Sequence, residues 1–219
     1  MATNAGDGPE SVPDEAASGG VPEEAAKHAL RRELLAARRA LTDGQVASSG
    51  AALARAAVTL PELADARTVA AYVSVGREPG TLPLLDALLA RGVRVLLPVL
   101  LPDNDLDWAA YGGPQGLVAG PRGLREPSGP RLGPDAVLKA DAVLLPGLAV
   151  DTRGMRLGRG GGSYDRVLAR LDAAGARPAL VVLLHEGEVR AQVPSLAHDR
   201  PVQAAVTPSG VRRFTDGAA

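Results

Sequence analysis

The sequence predicts an α/β protein with a three-layer, mostly parallel, open sheet and helices on both faces, of the Rossmann-like kind. Three observations predict this. Short apolar segments alternate with helical segments from residue 68 onward. The run at 142–146 is continuously apolar, which is typical of a parallel strand buried on both faces. The 219 residues, 46% of them hydrophobic, suffice for one domain of this type.

The chain opens with a segment that we expect to be a disordered tail. Residues 1–21 are rich in glycine, alanine, serine, proline and acids, and they bury too little apolar surface to offset the entropy of ordering. The first helix is predicted to begin near Pro22, because proline suits the first turn of a helix and the following Glu23 favours its positive end. The domain is predicted to span 22–214, with a flexible end at 215–219.

The second helix carries a specific start signal. Thr42 and Gln45 have the spacing of a capping box, in which each side chain bonds the other's backbone. An alanine-rich helix is predicted over 45–58, and Pro61 is predicted to end it.

The remaining elements are read from apolar runs and from glycine and proline stops. Helices are predicted over 82–91, with Thr81 as its cap and Gly92 as its stop, and over 163–174. The glycine- and proline-rich stretch 112–135 is predicted to be irregular. Strands are predicted at 68–75, 93–97, 106–111, 142–146, 179–184 and 202–206.

Composition excludes several classes of function. The net charge of −1 gives no field that would recruit nucleic acid, and the five aromatic residues are too few for a nucleic-acid stacking surface. No cysteine is present, and the three histidines fit no zinc motif. With no apolar run of about 18 residues and no secretory signal pattern, we expect no membrane partner and a cytoplasmic location. We also expect a monomer.

The most informative segment is the glycine-rich loop at 156–165, RLGRGGGSYD. Glycines let backbone N–H groups approach an anion, the following helix adds a partial positive charge, and Arg156 and Arg159 suit phosphate oxygens. The loop is neither a Walker A motif nor a complete dinucleotide fingerprint. From composition alone, a phosphate cradle and a flexible connector remain open, as do helix capping and magnesium binding for Asp165.

Two basic residues on the first helix form a second candidate feature. Lys27 and Arg31 are four residues apart, so they share one helix face, where an anion would relieve their mutual repulsion. The alternative is that Glu23 compensates Lys27 on an exposed surface.

The order of these motifs resembles the 5-formyltetrahydrofolate cyclo-ligase family. Its signature, an apolar-Pro-Gly segment, an Asp, a Gly and then Arg-Leu-Gly-x-Gly-x-Gly-Tyr-Tyr-Asp, is similar to 144–165 here. The likeness extends over roughly 27–207. It includes the following further residues: Lys27 and Arg31; Ser74, Glu78 and Thr81; Glu126 and Pro127; and Pro194, His198 and Asp199. Two positions depart: Ser163 replaces the first tyrosine of a pair, and Gln203 replaces an acid expected near the second metal carboxylate.

The resemblance implies an ATP-dependent ring closure of 5-formyltetrahydrofolate to 5,10-methenyltetrahydrofolate, with ATP as co-substrate and Mg²⁺ as cofactor. It implies catalytic roles for Lys27, Arg156 and Arg159. The implied ATP site is Lys27, Arg31, Arg156, Leu157, Gly158, Arg159, Gly160, Gly161, Gly162, Ser163 and Tyr164. The implied folate site is Val73, Glu78, Arg159, Gly160, Gly161, Gly162, Ser163 and Tyr164. The implied metal ligands are Asp165 and Asp199.

Two rival functions stay open at this stage. Another ATP-dependent small-molecule kinase or ligase would keep the phosphate loop but not the folate contacts. A non-catalytic nucleotide- or folate-binding module would need no magnesium carboxylates.

Overall fold

The structure is a computed structural model, which describes residues 20–196 and 199–214. Of the predicted tail 1–21, residues 1–19 lie outside the described residues, as do the predicted flexible end 215–219 and His198. The first helix begins at Gly20, two residues before the predicted start. The helices are α1 (Gly20–Arg39), α2 (Asp43–Ala57), α3 (Pro61–Ala64), α4 (Leu82–Ala90) and α5 (Ser163–Ala173).

Eleven strands are present in the described residues, seven of them in one sheet. The strands are β1 (Thr68–Ala70), β2 (Arg94–Leu100), β3 (Leu106–Ala110), β4 (Leu117–Ala119), β5 (Arg125–Pro127), β6 (Ala142–Pro146), β7 (Ala149–Val150), β8 (Arg156–Leu157), β9 (Ala179–Leu183), β10 (Ala204–Thr207) and β11 (Gly210–Arg213). The main sheet has the order β11-β10-β9-β6-β1-β2-β3. Its five central strands are parallel and its two edge strands are antiparallel, which confirms the predicted fold class.

Alternate residues of the central strands enter two cores on opposite faces of the sheet. Leu144 packs in the core that α2 and α4 cover, whereas Val143 and Leu145 pack in the core that α5 covers. A third, smaller core joins α1 to the β7–β8 hairpin through Leu34 and Leu157. Burial on both faces explains the continuous apolar run that marked this strand in the sequence.

Local signals placed some boundaries correctly and others wrongly. The capping box of Thr42 and Gln45 is formed as predicted, with both reciprocal hydrogen bonds. The predicted side-chain cap by Thr81 is wrong, because the Thr81 hydroxyl accepts a hydrogen bond from Ser74 N at 2.9 Å and does not cap α4. Pro61 does not end α2, which stops at Ala57, but starts the short helix α3.

One predicted strand also needs correction, and several other strands were not predicted. The strand predicted at 68–75 ends at Ala70, since the chain beyond Ala71 leaves the sheet to form a loop. The stretch 112–135 is not wholly irregular, because β4 and β5 form a hairpin there whose three-residue strands are too short for a periodic signal. Strand β11 was missed, since its largely exposed residues show no apolar alternation.

The helices of the described region include none that is both long enough and apolar enough to cross a membrane.

Candidate active site

A cleft of about 650 Å³ opens where β1, β2 and β6 reach their carboxyl ends. This is the edge at which open α/β sheets bind ligands. All of the predicted site residues line the cleft, although they come from segments far apart in the chain. They are Lys27, Arg31, Val73, Glu78, Arg156, Leu157, Gly158, Arg159, Gly160, Gly161, Gly162, Ser163, Tyr164, Asp165 and Asp199.

The glycine-rich loop forms one side of the cleft, between β8 and α5. Gly160 and Gly162 have φ values of +87° and +76°, a region that side chains other than glycine's rarely adopt. Gly162 is the residue immediately before α5, so the left-handed turn directs the loop into the helix N-terminus. The loop therefore presents backbone N–H groups and the positive end of α5 to the same space, as a phosphate cradle requires.

Helix α1 brings two cations to the loop. Lys27 is only 5% exposed, and its Nζ lies 2.6 Å from Oδ2 of Asp199. Arg31 Nε donates to the carbonyl of Gly158 at 3.1 Å. The surface alternative for Lys27 is wrong, because its ammonium is buried against Asp199 and is not on an exposed face beside Glu23.

Arg156 is a buried cation beneath the same loop. Its guanidinium donates to Pro146 O at 3.0 Å and to Asp165 Oδ1 at 3.1 Å, while its Nε has no partner within the described region. Burial lowers the pKa of Arg156, and the negative charges of Asp165 and Asp199 partly offset this by raising it. The group is thus held in place with one N–H available to a ligand.

On the loop after β1, Glu78 forms part of another wall. Its Oε2 accepts from Val75 N at 2.9 Å, and its Oε1 lies 3.2 Å from the Arg159 guanidinium. Ser74 and Thr81 close the loop with two reciprocal backbone-to-side-chain bonds. The Glu78 carboxylate is therefore fixed and buried.

Two tyrosines supply polar atoms that have no partner. The hydroxyls of Tyr72 and Tyr164 are buried without a hydrogen bond in the described structure, and both side chains line the cleft. Burial raises the pKa of each phenol, so both stay protonated near neutral pH. Unpaired buried hydroxyls are costly, so a polar ligand in the cleft would relieve both. Tyr72 was not among the predicted site residues, because it belongs to none of the motifs that marked the others.

Asp165 and Asp199 are the cleft carboxylates that the family resemblance implies as metal ligands; Asp165 pairs with Arg156 and Asp199 with Lys27. No group of three or more acidic, histidine or cysteine side chains that could hold an ion occurs among the described residues. Both acids lie close enough to Arg156 to act on its charge. Mg²⁺ usually takes one or two carboxylates together with phosphate oxygens, so this donor pair fits Mg²⁺ that arrives with a nucleotide.

Gln203 lies elsewhere. Its Oε1 accepts from Leu180 N at 2.6 Å beside the β9–β10 pairing, and it does not line the cleft. The expectation that this position bears on the structure near the second metal carboxylate stays a prediction. In this chain Gln203 bridges strands.

A parallel sheet with an anion cradle, buried cations and an adjoining polar pocket at its carboxyl edge defines an α/β enzyme of the nucleotide-dependent class. The sequence model of the 5-formyltetrahydrofolate cyclo-ligase family matches residues 23–208. The chain belongs to that family.

Individual relatives agree with this assignment. A 5-formyltetrahydrofolate cyclo-ligase from Mycolicibacterium smegmatis is 44% identical over 147 residues, which cover 65% of this chain and 74% of the relative. The Escherichia coli K12 enzyme of the same name is 36% identical over 179 residues, which cover 80% and 96%. The structure of Aquifex aeolicus 5,10-methenyltetrahydrofolate synthetase superposes with a TM-score of 0.73 at 29% identity, covering 88% of this chain and 95% of that one.

Proposed function

We propose that the protein closes 5-formyltetrahydrofolate to 5,10-methenyltetrahydrofolate, with ATP converted to ADP and phosphate. The observation that carries the proposal is the convergence of Lys27, Arg31 and Arg156 with the glycine-rich loop in one cleft that also holds Glu78. Phosphate-binding groups and a fixed carboxylate for a heterocycle are the two requirements of this reaction, and one chain supplies both.

The chemistry explains why ATP is needed. The N5-formyl carbonyl is amide-like, so its carbon is a poor electrophile and its oxygen is a poor leaving group. Transfer of the γ-phosphoryl group to that oxygen gives an iminium phosphate. N10 then attacks the activated carbon and loses its proton, and the C–O bond breaks to release phosphate. The formyl oxygen thus leaves in the phosphate.

Lys27, Arg156 and Arg159 are the proposed catalytic cations. Phosphoryl transfer depends mainly on positioning and on stabilisation of charge, so fixed cations contribute more than an acid–base triad would. Lys27 and Arg156 are buried and tethered, and they need little reorganisation when the nucleotide binds. Arg159 is half-exposed and lies between the loop and Glu78, at the boundary of the two substrates.

The remaining predicted residues receive binding roles. We assign Arg31, Leu157 and the backbone of the loop to ATP, and Val73, Glu78 and Tyr164 to the folate. We assign residues 159–164, which line the cleft, to both substrates. The Glu78 carboxylate can accept paired N–H bonds from a pterin edge. We assign Mg²⁺ to Asp165 and Asp199, where it would supply positive charge to the phosphates.

A cytoplasmic monomer is part of the proposal. One chain supplies both the phosphate cradle and the pocket beside it, and ATP and magnesium are available in the cytoplasm.

Asp165→Asn separates an enzyme from a binding module. Asp165 is largely exposed in the first turn of α5, so the substitution should preserve the fold. We expect turnover to fall about 100-fold, the scale of a lost positioning group at a phosphoryl or metal site. Folate affinity should stay within about twofold, since the pterin contacts are unchanged. Steady-state turnover and equilibrium titration of folate measure the two quantities.

Asp65→Asn is the control, because Asp65 is exposed at the end of α3 and does not line the cleft. It should leave both quantities unchanged. Unaltered turnover in Asp165→Asn would contradict the assigned role of this carboxylate. A kinase acting on another substrate would show ATP turnover without any change in the folate.

A further inference from the structure

One buried polar group in the cleft has no role in the reaction described above. Tyr72 is 5% exposed, and its hydroxyl has no hydrogen-bond partner among the residues that the structure describes. The side chain lines the cleft two residues beyond the end of β1. A buried hydroxyl that has lost its contact with water and has gained no partner costs free energy. A ligand in the cleft that accepts a hydrogen bond from Tyr72 would recover that cost.

The ring of Tyr72 is held by packing and not by its hydroxyl. It belongs to the core that α2 and α4 cover, which also contains Leu53 and Leu84. Tyr111 is part of the same core, and its hydroxyl donates to Asp86 Oδ1 at 2.6 Å. The fold thus uses the hydroxyl of Tyr111 and leaves that of Tyr72 to the cleft.

The hydroxyl of Tyr72 lies close enough to Glu78 to be affected by its charge. Burial raises the pKa of Tyr72 well above its ordinary value, and the negative charge of Glu78 adds to the rise. The phenol therefore stays protonated near neutral pH and acts as a hydrogen-bond donor. The two oxygens of Glu78 accept from Val75 N and from Arg159. The phenol is thus a donor that remains for a ligand bound beside Glu78.

A pterin has a hydrogen-bond acceptor on each side of the edge that we assign to Glu78. That edge consists of two donors, the N3–H and the 2-amino group. The C4 oxygen adjoins the N3–H, and N1 adjoins the 2-amino group, and both atoms accept hydrogen bonds. A donor beside the carboxylate therefore meets an acceptor whichever way the ring is turned.

We propose that Tyr72 determines specificity for the pterin, by donating a hydrogen bond from its phenol to the ring acceptor beside the donors that Glu78 binds. This inference rests on the proposed function. The carboxylate and the phenol together present an acceptor next to a donor, which complements the donor and the acceptor of the pterin edge. A site built in this way rejects a ring that lacks the matching groups more strongly than an apolar pocket does.

The test is Tyr72→Phe, which removes the hydroxyl and keeps the ring that packs in the core. We expect the KM for 5-formyltetrahydrofolate to rise about tenfold, because the ring acceptor is left without a partner. kcat and the KM for ATP should stay within about threefold. The inhibition constant of the methenyl product should rise by the same factor as the folate KM, since the product keeps the pterin edge but has lost the formyl oxygen. The Tm of the ligand-free protein should not fall, because the variant removes an unsatisfied group.

Tyr111→Phe is the matched control, because it removes a hydroxyl that already has a partner, and Tyr111 does not line the cleft. It should lower the Tm and leave both KM values unchanged. An unchanged folate KM in Tyr72→Phe would overturn the inference, as would a rise in the KM for ATP instead. A product inhibition constant that stays at the wild-type value would also overturn it, since the hydroxyl would then serve the formyl oxygen. So would a lower Tm in Tyr72→Phe, which would give the hydroxyl a structural role.

Equilibrium binding of 5-formyltetrahydrofolate to the wild type and to Tyr72→Phe is measured in parallel. If the wild type binds the folate without turnover, the proposed reaction fails, and the ratio of the two affinities still decides the role of Tyr72. A wild type that binds no folate would overturn both the proposed function and this inference.

Discussion

Lys27→Met is expected to lower kcat about 10²- to 10³-fold, the range for removal of one preorganised charge-stabilising group. Lys27 is buried, and its ammonium is held 2.6 Å from Asp199 at the mouth of the phosphate cradle. Methionine keeps much of the side-chain length and removes the charge. Because we propose that the ammonium stabilises the phosphoryl group during its transfer, the loss should appear in kcat more than in the KM for the folate.

Lys139→Met is the natural control. Lys139 is the other lysine of the chain, and it is exposed and outside the cleft. It should keep wild-type kinetics. Lys27→Arg keeps the charge but changes its shape, so partial activity is expected. A Lys27→Met protein that stays folded and keeps wild-type kcat would contradict the catalytic role of this residue.

Arg38→Met is expected to destabilise the fold by about 3 to 5 kcal/mol, the cost of leaving a buried charge without its partner. Arg38 is 4% exposed on α1 and makes two bonds of 2.7 Å to the Glu188 carboxylate. It also donates to the carbonyl of Gly147, a residue of the cleft, at 2.6 Å. Through its bonds to Glu188 and Gly147, Arg38 thus docks α1, which carries Lys27 and Arg31, onto the end of β6.

Denaturant unfolding followed by circular dichroism measures this loss. Arg39→Met is the control, because the neighbouring Arg39 is exposed and should change stability by less than about 0.5 kcal/mol. The double change Arg38→Met/Glu188→Leu should recover part of the loss, since it removes both charges together. If Arg38→Met alone lowers the free energy of unfolding by less than about 1 kcal/mol, the buried pair does not secure α1.

The fold could be predicted where short-range signals decide it. The apolar run at 142–146 and the Thr42–Gln45 capping box act through neighbouring residues, and both led to the right elements. The Thr81 cap was wrong because a residue seven positions away, Ser74, supplies the better partner. Strand β11 is placed by its ladder to β10, which leaves no mark in its own composition.

The site also has a part that could be predicted from neighbouring residues and a part that could not. The loop at 156–165 is contiguous, so its glycines and arginines could be recognised together from the sequence. The Lys27–Asp199 pair joins residues 172 positions apart, and only the family likeness brought the two into one site before the structure did. The pair of Arg38 and Glu188 spans 150 positions and has no motif, so nothing in the sequence pointed to it.

The central claim is tested most directly by the absorbance of the methenyl product. Purified protein is mixed with 5-formyltetrahydrofolate, magnesium and ATP, and a parallel sample lacks ATP. We predict that absorbance grows only when ATP is present, with ADP and phosphate released in equal amounts. Absence of product while ATP still binds would contradict the cyclo-ligase activity and favour the kinase or binding-module alternatives.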